Sequence, residues 1–104
     1  MKDPQIVVEV KEILNLIKKI SPGKSVELRI PAYSAIQCVE GINHKRGTPP
    51  NTVEMNAQVL IQLSHNPDLW AELVAAGQII ASGVDSDLSM VFNQISQHYP
   101  KADK

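Results

Sequence analysis

The sequence predicts one α+β domain, with a mainly antiparallel sheet of about four to five strands and helices packed on one face. Three observations carry that prediction. Apolar residues recur at helical spacing near both ends of the chain, they alternate with period two from Ser25, and Gly, Pro and Asn mark each change of period. A length of 104 residues fits one domain, which we assign to residues 4–99, leaving 100–104 as a polar tail.

Asp3-Pro4 reads as a helix start, an N-cap oxygen followed by a proline whose missing N–H costs nothing in the first turn. Ile6, Val10, Ile13, Ile17 and Ile20 then repeat at spacings of three and four, and Ser21-Pro22-Gly23 stops the helix. Val26, Leu28 and Ile30 alternate with Glu27 and Arg29, which gives a strand with one buried and one wet face. A second strand is expected over 35–40. It carries Ala35 and Val39 on one face and Ile36 and Cys38 on the other, a pattern that places it centrally in the sheet. Gly41, Gly47, Pro49 and Pro50 break any regular pattern before a short strand over 51–55.

Asn56 is positioned to cap a helix through His65. Asn66-Pro67-Asp68 repeats the cap, proline and acid arrangement and launches another, ending near Ala76 with Gly77 as the left-handed stop. Residues 78–82 read as a strand. Asp85 or Ser86 opens the last helix, where Leu88, Val91, Phe92, Ile95 and Tyr99 share a face and Pro100 ends it. Short connections make the strands of 25–55 expected antiparallel neighbours.

Composition narrows the function classes. Hydrophobic residues make up 43% and charged ones 20%, with one Trp, one Phe and two Tyr, so a folded core must be largely aliphatic. A net charge of −1 lacks the basic excess that phosphate neutralisation requires, and no nucleic-acid partner is expected. Cys38 is the single cysteine, so neither an intrachain disulfide nor a cysteine zinc site is expected. No signal-like segment and no run of ~18 apolar residues occurs, which makes a cytoplasmic location the expectation.

The candidate chemistry is sparse. His44, Lys45, Arg46 and the Gly47 and Thr48 amides suit an anionic group such as a carboxylate or phosphate. The competing reading is a surface loop in which Arg46 pairs with Glu40 or Glu54. His44, His65 and His98 lack a second ligand at metal spacing, so no metal is expected. Cys38, in mid-strand, reads as a small hydrophobe rather than a nucleophile. A hydrolase or transferase built on Glu40, His44 and Arg46 is the enzyme reading. No phosphate loop, nucleophile elbow or other cofactor motif supports it, and no cofactor is expected.

The second half, AQVLIQLSHNPDLWAELVAAGQIIASGVDSDLSMVFNQI (Ala57 to Ile95), resembles the C-terminal half of sterol carrier proteins. Their pattern is a short helix, a second helix with a conspicuous Ala, Gly, a strand of about five residues, Gly and a closing helix. Pro22 to Gly41 and His44 to Met55 resemble a small bacterial group related to them. The resemblance implies a sheet with helices over one face and, in longer members, an apolar tunnel between the layers for a sterol, fatty acid or acyl chain. It implies no catalytic residue. By position, Trp70, Leu73, Ile79, Leu88, Val91 and Phe92 would line the apolar space, and His44, Arg46 and Thr48 would contact a polar head. This chain is shorter than those members in its sheet and at its C-terminus.

An empty void of ~300 Å³ would cost about 7 kcal/mol at ~24 cal/mol per Å³, much of a small domain's ~5–15 kcal/mol. Either a ligand or a partner fills such a space, or it has collapsed. The leading expectation is therefore non-catalytic binding of an apolar ligand, with lipid transport as the implied role. The alternative is a protein-interaction module on the same fold with a closed tunnel. A homodimer that covers an apolar face is compatible with both.

Overall fold

The computed structural model describes residues 3–41 and 50–99. Helix α1 spans Pro4–Ile20 and begins as its cap predicts: the Gln5 amide donates to the Asp3 carboxylate at 2.9 Å. Lys18 and Lys19 occupy its last turn, where positive charge complements the helix dipole. Strands β1 (Val26–Ile30), β2 (Ser34–Cys38), β3 (Asn51–Met55) and β4 (Ile79–Ser82) form one sheet. Helix α2 (Ala57–His65) is capped by Asn56, whose side-chain oxygen accepts from the Val59 amide at 2.8 Å. A 3-10 turn (Pro67–Leu69), α3 (Trp70–Ala75) and α4 (Ser89–Ser96) complete the order.

The core lies between the sheet and the helices. Val26, Leu28 and Ile30 from β1 and Val53 and Met55 from β3 point into it. There they join Ile13, Leu14 and Ile17 of α1, Leu60 and Leu63 of α2, and Phe92 and Ile95 of α4. The other sheet face carries Glu27, Arg29, Gln37, Thr52 and Glu54. An Arg29–Glu27 ion pair at 3.1 Å lies there, half-exposed and worth at most ~1 kcal/mol.

The fold class stands as expected, but the sheet is mixed. Its order is β2-β1-β3-β4, with β1 antiparallel to β2, parallel to β3, and β3 antiparallel to β4. Strands β2 and β3 run in opposite directions, as short-connection reasoning predicts, but β1 lies between them. Strands β2 and β3 therefore do not pair as a hairpin. Strand β2 is consequently an edge strand, and its expected second apolar face does not exist: Ala35 is exposed, and Val39 leaves the strand at φ 67°. Two hydrogen bonds hold Val39 in that unfavourable region. Its amide donates to Ser21 O at 2.8 Å, and its carbonyl accepts from the Ser25 amide at 3.0 Å. Gly23 packs so closely on that carbonyl that a Cβ there would collide with it.

The last helix starts at Ser89, later than Asp85 or Ser86, because those two residues are used elsewhere. The Asp85 amide donates to Asn51 Oδ1 at 3.0 Å, and Ser86 folds back on Gly83 through its hydroxyl at 2.8 Å. Asn51 also donates through Nδ2 to Ser25 O at 2.9 Å and to Ser25 Oγ at 3.1 Å. A side chain only 1% exposed thus ties the starts of β1 and β3 to the β4–α4 connection.

Asn51→Ala removes these bonds and leaves the Asp85 amide without its acceptor. The expected loss is about 2–4 kcal/mol of unfolding free energy, measured by urea denaturation. A loss below about 0.5 kcal/mol would show that the clasp is not needed.

Candidate functional site

Three elements surround the most distinctive local chemistry: the 3-10 turn, α3 and α4. Asn66 precedes Pro67 as the sequence suggests, yet its side chain makes no capping bond. The first turn is a 3-10 turn, and the α-helix proper begins only at Trp70. Helix α3 then ends in a Schellman arrangement: the Gly77 amide donates to Val74 O at 3.0 Å and the Gln78 amide to Leu73 O at 2.9 Å. Gly77 has φ 77° and open space around it, so its role is conformational.

Of the six residues assigned to an apolar lining, Trp70, Ile79, Leu88 and Phe92 are buried, while Leu73 and Val91 are partly buried against them. The Trp70 and Phe92 rings stack with centroids 6.2 Å apart and planes 29° apart. All six contribute to the single hydrophobic core of the described residues. His44, Arg46 and Thr48 lie outside the described residues. Glu40, the third member of the enzyme reading, is exposed.

Among the described residues, surface grooves border this core. One, of about 370 Å³, runs between the 3-10 turn and α4 and is lined by Pro67, Asp68, Trp70, Ala71, Asp87, Ser89, Met90 and Asn93. Trp70 therefore has one side in the core and an edge at the groove. Another, of about 850 Å³, lies between the second half of α1 and the chain after α4, with Leu16, Ile20 and Tyr99 among polar neighbours. Tyr99 is buried beside His65, ring centroids 5.5 Å apart. Burial first, and then the Glu9 and Glu12 carboxylates, raise its hydroxyl pKa. Sequence reasoning did not identify either groove. Met90 gave the one usable signal, an apolar residue off the stripe of the last helix.

Cys38 is fully buried, and burial pushes its thiol pKa from 9.0 to about 11. Such a thiol is neutral and sheltered, the opposite of an activated nucleophile. Among the described residues no three of His, Cys, Asp and Glu gather in ligand geometry. No helix there is long and apolar enough to cross a membrane.

Comparison with known proteins gives two findings. A family profile described as bacterial SCP ortholog matches residues 3–93. A solved structure described as "UbiJ-SCP2 Ubiquinone synthesis protein" superposes with a TM-score of 0.51 at 19% identity, over 90% of this chain and 95% of that one. That likeness is one of fold. No curated protein sequence matches the chain.

Because the folded-state pKa of Cys38 lies above its unfolded value, unfolding releases a proton between about pH 9 and 11. The Cys38 contribution is complete below pH 9 and is lost as pH rises through that window. Stability measured by urea denaturation at pH 8 and pH 10.5 should therefore fall more for the native chain than for Cys38→Ala. Equal slopes for the two would show that the thiol is not desolvated.

Proposed function

The chain belongs to the bacterial SCP ortholog family, and we propose that it is a non-catalytic carrier of an apolar ligand of the sterol, fatty-acid or acyl type. The ligand lies between the helices and the sheet, against Trp70, Leu73, Ile79, Leu88, Val91 and Phe92. The observation that carries this reading is the weak anchorage of the segment Pro67–Ala75. The 3-10 turn has no buried residue, and α3 has one, Trp70. Helix α1, by comparison, buries Val10, Ile13, Leu14 and Ile17.

Magnitudes favour entry beneath that segment. An acyl chain that buries roughly 300 Å² gains about 7 kcal/mol at ~25 cal/mol per Å². Displacing one aromatic side chain costs about 3 kcal/mol of burial, and losing its stacking on Phe92 adds about 1 kcal/mol. The surplus leaves room for the ordering costs of binding. Cytoplasmic lipid transport is the role this chemistry serves.

A second reading has its own support. Ile79 is 2% exposed, Leu88 1% and Phe92 0%, so side chains already fill the space between the layers. A protein-interaction module with a closed tunnel fits that packing.

Native mass spectrometry separates the two, with the emission of the single Trp as a second readout. For the carrier, freshly purified protein carries an adduct of lipid mass that denaturation removes, and titration with myristic acid shifts the Trp70 emission. Leu73→Asp, at a partly buried position, abolishes uptake while circular dichroism remains native. A clean apo mass, with no uptake of fatty acid or sterol, would exclude the carrier and leave the interaction module.

A further inference from the structure

Charge along the sequence is sharply divided. Every Lys and Arg lies at position 46 or earlier, or at 101 or later. Between these limits stand Glu54, Asp68, Glu72, Asp85 and Asp87. The fold brings two of the five carboxylates, Asp68 and Asp87, to one groove. Asp68 and Glu72 belong to the 3-10 turn and α3, and Asp85 and Asp87 to the connection that enters α4; all four are exposed.

The groove of about 370 Å³ opens between those elements. Pro67, Trp70, Ala71 and Met90 give it apolar lining, Asp68, Asp87, Ser89 and Asn93 polar lining, and among the described residues no Lys or Arg lines it. Met90 is 76% exposed and Val84, on the same connection, 97%. Met90, a large apolar side chain left in water at the groove, marks a contact surface. Asp87 is partly engaged, since its Oδ1 accepts from the Ser89 amide at 2.9 Å.

We propose that this groove docks a basic amphipathic helix of a partner protein. Apolar side chains at i and i+3 or i+4 of that helix enter between Met90 and Ala71 and cover the edge of Trp70. Lys or Arg residues flanking them meet Asp68 and Asp87. The carboxylates act mainly as steering and selection. They repel an acidic helix and an anionic lipid surface alike, which is why the occupant is a basic protein segment. The groove is formed with Trp70 in place against Phe92, so this inference does not require the carrier reading.

The test uses the full chain, with Trp70 emission as the readout and a synthetic amphipathic helix of Leu and Lys as the probe. A Leu and Glu helix of the same length and pattern is the control. The Lys helix is expected to bind and shift the emission, with affinity falling as salt rises, and the Glu helix to fail. Asp68→Lys with Asp87→Lys weakens binding about tenfold or more, and Met90→Glu does the same. Glu27→Lys with Glu54→Lys, an equal charge change on the outer sheet face, leaves the affinity unaltered. Circular dichroism checks that each variant is folded. Equal weakening by the two lysine pairs, or equal binding of the two helices, would overturn the proposal. So would salt-sensitive self-association in sedimentation equilibrium that the Asp68→Lys and Asp87→Lys pair abolishes, because the occupant would then be a second copy of the chain.

Discussion

The buried amide of Asn51 is the constraint on which the remaining arrangement depends. It stands at the first position of β3, beside the start of β1, where the segment 39–50 arrives and the β4–α4 connection departs. One amide group supplies two donors to Ser25 and one acceptor to Asp85, so three chain segments meet without a stranded polar group. Close packing around it dictates neighbouring residues. A Cβ on Gly83 would collide with the Asn51 side chain, and one on Gly41 would lie 2.6 Å from Ser25 Oγ. With that end fastened, β3 is parallel to β1, β4 lies on its far side, and α4 is delivered onto the core through Leu88, Phe92 and Ile95.

The opposite condition holds for Pro67–Ala75. That segment links α2 to β4 by way of a 3-10 turn without a side-chain cap and a helix of six residues with one buried side chain. Local opening follows such differences: elements with few buried contacts open at low free energy, while those in the core open only with the whole domain. The domain thus couples a closed, aliphatic sheet-and-helix core to one thinly attached cover. The sites proposed for ligand entry and for partner docking both border that cover, from its inner and outer sides.

How much of this was legible in the sequence depends on range. Helix α1, β1, β3 and α2 follow from local signals: the Asp3-Pro4 start, the alternation at Val26, Leu28 and Ile30, and the Asn56 cap. Strand order does not, because pairing β3 with β1 is decided by long-range packing. Val39 misleads for a related reason. A β-branched residue after a strand reads as more strand, and only the hydrogen bonds to Ser21 and Ser25 show it at φ 67°. The late start of α4 was hidden in the same way, since Asp85 and Ser86 resemble caps until Asn51 and Gly83 claim them. Leu88, Val91 and Phe92 of the proposed lining were readable as one helical stripe, while Trp70, Leu73 and Ile79 joined them only through the family resemblance. The acidic lining of the docking groove was not legible, because a whole-chain charge of −1 averages away a stretch from 47 to 100 without Lys or Arg.

The most direct measurement of the carrier reading is native-state amide hydrogen exchange, followed residue by residue with and without myristic acid. In the free protein the amides of 68–76 should exchange well ahead of those in α1, β1 and β3, and fatty acid should slow them selectively. Exchange of 68–76 at the same rate as α1, unchanged by the lipid, would mean that the segment opens only when the whole domain unfolds, and the carrier reading would fail.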